Sequence, residues 1–239
     1  MNDLRLNLIK ASVGVTVVFA LFHGLAGYLG SDRGQAGVAI AGVVVVALIA
    51  FERLLFGRTA AEAMRALGFG TPDPRGFFAV LLVVVLLVAT VPLYASVRGV
   101  TLAYYPGWPS LLAGLFAQAG IAEEALFRGF LFRHLRDGRG FWHAAMLATV
   151  PFVAVHLILF ATMPWPVALA AVFLSTIISF PLARLFELGG NTIWAPAILH
   201  FVVQATIKIV ETPGDTGLPI AWMAASMIIP WLVFFGWRR

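Results

Sequence analysis

The sequence predicts an all-α fold: a polytopic integral membrane helical bundle of about eight transmembrane helices. Two compositional observations and one pattern carry that prediction. Charged residues are 11% of the 239 and hydrophobic ones 61%, where an ordinary soluble domain carries about 25% charged residues. Mean hydropathy is +0.95. The apolar residues also gather into runs of about 20, the length a helix needs to cross hydrocarbon. With no repeat or low-complexity tract to divide it, the chain reads as a single membrane domain, 1–239.

The runs fall near 8–29, 35–56, 77–96, 109–132, 142–161, 166–186, 192–210 and 218–236. No small-residue cleavage site follows the first, so it is expected to be a retained span rather than a signal peptide. Turn chemistry separates the runs: Gly30-Ser31-Asp32, Thr71-Pro72-Asp73-Pro74, Pro106-Gly107, Pro164-Trp165-Pro166, Gly189-Gly190-Asn191 and Pro213-Gly214-Asp215. In the longest connection, 57–76, the stretch Thr59 to Leu67 suits a short helix lying on the surface, with Arg58, Glu62 and Arg65 among the headgroups.

Eight spans put both termini on one side. Twelve of the 16 lysines and arginines then share that side, among them Lys10, Arg58, Arg65, Arg133, Arg136 and Arg139. Arg33, Arg98 and Lys208 fall opposite, and Arg128 is buried. The positive-inside rule makes the larger group, and both termini, cytoplasmic. The net charge of +5 is thereby a property of topology, and no nucleic-acid partner is expected. Cysteine is absent, which excludes disulfides and thiolate metal sites.

A few polar residues interrupt the apolar runs. Glu123, Glu124 and Arg128 lie within six residues of one span, where each charge costs about 2.5–3.5 kcal/mol on insertion scales. Glu124 and Arg128 are four apart and share a helix face, so they can pair along their own helix. Glu123 has no basic residue at that spacing, and its partner must come from another helix. His156 and His200 are the candidates. A carboxylate beside a neutral imidazole can polarise a water into a nucleophile. His200 and Gln204, again four apart, offer donors where charge develops on a scissile carbonyl. This is the inventory of a hydrolase. Taken singly, each residue also has a structural reading as an interhelical contact, as do Ser175 and Ser179. His23, His134 and His143 read as interfacial.

These residues resemble the CPBP (CAAX protease and bacteriocin-processing) family of intramembrane proteases, which includes the Rce1-like CAAX endopeptidases. Its Glu-Glu-x-x-x-Arg motif is matched by Glu123, Glu124 and Arg128, and its Phe-x-x-x-His motif by Phe152 and His156. Its His-x-x-x-Asn/Asp motif is matched at His200, with Gln204 in the last place. The resemblance covers a protease core at about 109–210. It implies Glu123 as general base, His156 as its partner in activating water, and His200 with residue 204 as the oxyanion site. Glu124, Arg128 and Phe152 are implied as structural support. Glutamine keeps the amide donor but adds a methylene, so the donor must be re-aimed.

Two questions of chemistry and use follow. Zinc is possible at Glu123, His156 and His200, but the His-Glu-x-x-His arrangement is absent and a metal-free glutamic mechanism is favoured, with no cofactor. The expected activity is endoproteolysis of a membrane-tethered protein or peptide within the lipid bilayer, and the expected location is a bacterial inner membrane. The alternatives are a non-catalytic scaffold or immunity-type protein of the same fold and, more remotely, a proton-coupled transporter.

Overall fold

In the computed structural model, which describes residues 3–29 and 33–237, the chain is almost entirely helical. The order is α1 (Asp3–Leu29), α2 (Arg33–Phe56), α3 (Ala60–Ala66), α4 (Pro74–Arg98), β1 (Ala103–Tyr104), α5 (Trp108–Arg136), α6 (Phe141–His156), α7 (Trp165–Leu188), α8 (Trp194–Ile209), β2 (Val210–Glu211) and α9 (Leu218–Ile228). Tight 3-10 turns extend α6 to Ala161 and α9 to Phe234. Among the described residues six helices are long and apolar enough to cross a membrane; the two stretches Trp194–Ile209 and Leu218–Phe234 are shorter apolar helices. The turn expected at Gly30-Ser31-Asp32 and the terminal Arg238 and Arg239 lie outside the described residues, as do the side chains of Arg5 and Arg33.

Much of the apolar surface faces outward. Val46, Leu54, Leu93, Val97 and Val150 are all more than 60% exposed. In water such a surface would drive aggregation; against lipid tails it costs nothing. Trp108, Trp142 and Trp165 sit exposed near helix ends, where indoles favour the membrane–water boundary. The chain is an integral membrane protein.

Inside, the helices form two packed groups. One core joins α1, α2, α5 and α6 through residues such as Val18, Leu48, Phe130 and Phe152. The other joins α4, α7, α8 and α9 through Val83, Leu182, Leu199 and Trp222. Glycines let backbones meet: a Cβ on Gly37 would collide with the Gly114 carbonyl, and one on Gly129 with that of Leu67.

The surface helix is present as expected. Thr59 caps it, its hydroxyl accepting from the Glu62 N–H while the Glu62 carboxylate accepts from the Thr59 N–H, a reciprocal capping box. Pairing of β1 with β2 is antiparallel, Ala103 opposite Glu211 and Tyr104 opposite Val210. It gives backbone groups leaving α8 hydrogen-bond partners. His134 departs from expectation. It is buried, stacked on Phe56 at 4.0 Å and 3.0 Å from Glu52.

Candidate active site

The site forms where α5, from the first core, meets α7 and α8 of the second. Between Phe116 and Phe132, α5 is wound as two successive π-helical segments, Phe116–Glu123 and Ala125–Phe132, with Glu124 at their junction. The wider winding with i→i+5 hydrogen bonds is rare and frequently marks functional sites. Glu124 and Arg128 remain paired across it, Nη1 to Oε1 at 3.0 Å, with side chains 0% and 3% exposed.

Neither charge is left to its sibling alone. Arg128 Nη2 donates to Ser179 Oγ at 3.3 Å, and the Ser179 and Thr149 hydroxyls lie 2.8 Å apart. Thr149 also bonds the Ala145 carbonyl at 2.8 Å. That carbonyl only accepts, so Thr149 donates to it and Ser179 donates to Thr149. The Arg128 guanidinium also lies over the Phe152 ring at 4.1 Å, a desolvated cation–π contact worth about 2 kcal/mol. The same ring meets Phe127, His156 and His200 edge-on at 5.0, 5.0 and 6.0 Å. Phe152 thus touches three of the motif side chains at once.

His200 Nδ1 lies 2.7 Å from Glu124 Oε1. An ionised carboxylate only accepts, so the proton is on Nδ1. On the other side of the ring, Gln204 Nε2 is 3.3 Å from His200 Nε2, and Lys208 Nζ donates to Gln204 Oε1 at 2.7 Å. Lysine has no acceptor, so it selects which end of the carboxamide faces it. The Gln204 N–H then points at His200. This is the physical sense of the Gln204 departure: the extra methylene lets one amide reach both His200 and Lys208. In the sequence Lys208 reads only as a charge on the outer side, although its i,i+4 spacing from Gln204 is visible there.

Glu123 is 14% exposed, and its Oε2 lies 3.8 Å from His200 Nε2, too far for a direct hydrogen bond. His156 Nδ1 sits 2.7 Å from the Phe152 carbonyl, which fixes a proton there and leaves the Nε2 lone pair as acceptor. Glu123, His200 and Arg128 all lie within electrostatic reach of His156. The structure therefore brings Glu123, Glu124, Arg128, Phe152, His156, His200 and Gln204 into one place. Glu124 Oε2 is buried with no partner among the described residues. Among those residues no three His, Asp or Glu side chains are grouped to hold one metal ion. An apolar cavity of about 360 Å³ lies along α8, between Trp108 and Leu112 on one side and Phe201 and Ala205 on the other.

Fold and site together define a polytopic membrane protein with a buried, pre-ordered acid–base cluster. Residues 105–206 match the family model described as type II CAAX prenyl endopeptidase Rce1-like. All three motifs lie inside the matched residues, and this part of the chain is similar to that family. No curated protein and no solved structure matches the chain.

Proposed function

We propose that the protein is an intramembrane endopeptidase that cleaves a membrane-tethered protein or peptide with a water activated by Glu123 and His156. The observation that carries this reading is the convergence of the three motifs on one buried cluster within the Rce1-like segment. Glu123 takes a proton from water as the oxygen attacks the scissile carbonyl carbon, with His156 Nε2 accepting the second water hydrogen bond. Charge develops on the carbonyl oxygen. The Gln204 N–H, held in its direction by Lys208, stabilises that oxygen beside His200. Collapse of the tetrahedral species breaks the C–N bond, and the proton held by Glu123 passes to the leaving amine. Glu124 keeps Nδ1 of His200 protonated throughout, which is a positioning role.

The apolar cavity along α8 supports a substrate with a lipid-soluble portion. The distribution of basic residues supports cytoplasmic termini, and the family resemblance supports a bacterial inner membrane.

The test compares cells expressing wild type and Glu123→Gln at matched membrane levels, mapping new termini of membrane proteins by mass spectrometry. General-base loss should lower turnover roughly 10²–10⁴-fold, so the dependent termini should vanish. Termini identical in both strains would sink the mechanism.

A further inference from the structure

A second polar cavity, of about 400 Å³, lies away from the cluster described above. It opens where the start of α1, the end of α2, the turn after α5 and the turn between α7 and α8 come together. Three guanidinium groups line it, from Arg58, Arg133 and Arg136, with the carboxamides of Asn7 and Asn191 and a single carboxylate, Asp137. The remainder of the lining is mainly aromatic.

The arginines are held in place from behind. Glu52 is fully buried; it accepts from Arg58 Nη1 at 2.6 Å and Arg133 Nη2 at 2.7 Å, and lies 3.0 Å from His134 Nε2. Arg133 Nε donates to the Gly129 carbonyl, and Arg136 Nε to Glu187 at 2.7 Å. These anchors use only part of each fork. Arg58 Nη2, Arg133 Nη1 and Arg136 Nη2 have no partner among the described residues, nor do the Asn7 and Asn191 side chains. In and around the cavity, Lys10, Arg58, Arg133, Arg136, Arg139 and Arg184 outnumber Glu52, Asp137 and Glu187. Asn191 holds φ at 60°, a left-handed conformation that asparagine and aspartate tolerate best among side-chain-bearing residues.

We propose that this cavity is a binding site for a phosphate-bearing anion, such as the headgroup of an anionic phospholipid. Planar guanidinium forks with spare donors match phosphate oxygens in pairs. A basic pocket between span ends is where a headgroup of the adjoining leaflet arrives, and the aromatic floor suits the glycerol and first methylenes behind it. Nothing in this assignment depends on the hydrolase reading.

The experiment is native mass spectrometry of the purified full chain titrated with phosphatidylglycerol, phosphatidylcholine or inorganic phosphate. The variant is Asn7→Asp with Asn191→Asp, which introduces repulsion without removing an anchored ion pair; Asn7→Asp alone serves if the double variant fails to insert. Wild type should bind phosphatidylglycerol roughly tenfold tighter than phosphatidylcholine, and the variant should lose that preference. Displacement of the lipid by inorganic phosphate would identify free phosphate as a second source of the same group. A preference for phosphatidylglycerol that survives in a folded variant, or no preference and no phosphate binding in wild type, would overturn the proposal.

Discussion

Glu124 answers to two donors at once, Arg128 from its own helix and His200 from α8. Removing either member of the Glu124–Arg128 pair strands a buried charge without its ion-pair partner, a loss of about 3–5 kcal/mol. Glu124→Ala and Arg128→Ala should therefore each lower membrane yield and the unfolding temperature in detergent. Normal yield and unchanged melting for both would show the pair to be dispensable. At this scale the site was largely legible beforehand, because a charge in an apolar run has few cheap explanations and i,i+4 spacing names its partner. Glu52 was not legible. It sits one turn from the end of its run, where a carboxylate ordinarily reaches headgroups, and only the packing of α2 against the end of α5 reveals that it is enclosed.

Helix positions followed the apolar runs closely, and a short surface helix was expected from Thr59 to Leu67, though not its capping box. The π winding of α5 had no such signal; along it Gly120 and Gly129 approach the carbonyls of Ala197 and Leu67. Nor did the connection after β2 announce its tie to α4. There Asp215 accepts from Tyr94 Oη at 2.5 Å, from the Gly217 N–H at 2.8 Å and from Arg98 at 3.3 Å. The Tyr94 hydrogen bond first, then the Gly217 N–H and Arg98, hold the Asp215 carboxyl below its ordinary value. Its stabilising contribution is therefore complete above the unfolded pKa, about 3.9, and is lost as pH falls through the lower folded value. Asp215→Asn should melt below wild type at pH 5–7, with the gap closing below about pH 4. A gap independent of pH would mean the carboxylate is not what holds the loop.

For the molecule as a whole, the absence of cysteine makes orientation directly measurable. Single cysteines at Arg65 and Thr216, both exposed, should react with an impermeant maleimide from opposite faces, Arg65→Cys only after the cytoplasmic side is opened. Labelling of both from outside in intact cells would contradict the proposed topology. Among the described residues six of the eight expected spans are long and apolar enough to cross a membrane, and the shorter reach of the other two was not legible. With 16 residues, α8 covers roughly 24 Å, short of the ~30 Å hydrocarbon, and the β1–β2 pair takes over where it stops.

The polar chain through Ser179, Arg128, Glu124 and His200 draws on three helices that leave the ribosome at different times. When α5 first enters the bilayer, neither the serine of α7 nor the histidine of α8 has yet been synthesised. Its arginine and glutamate have only each other, and four-residue spacing lets them neutralise one another as soon as the helix winds. The arrangement that orders His200 in the finished protein is thus also what lets its helix be inserted before that histidine exists.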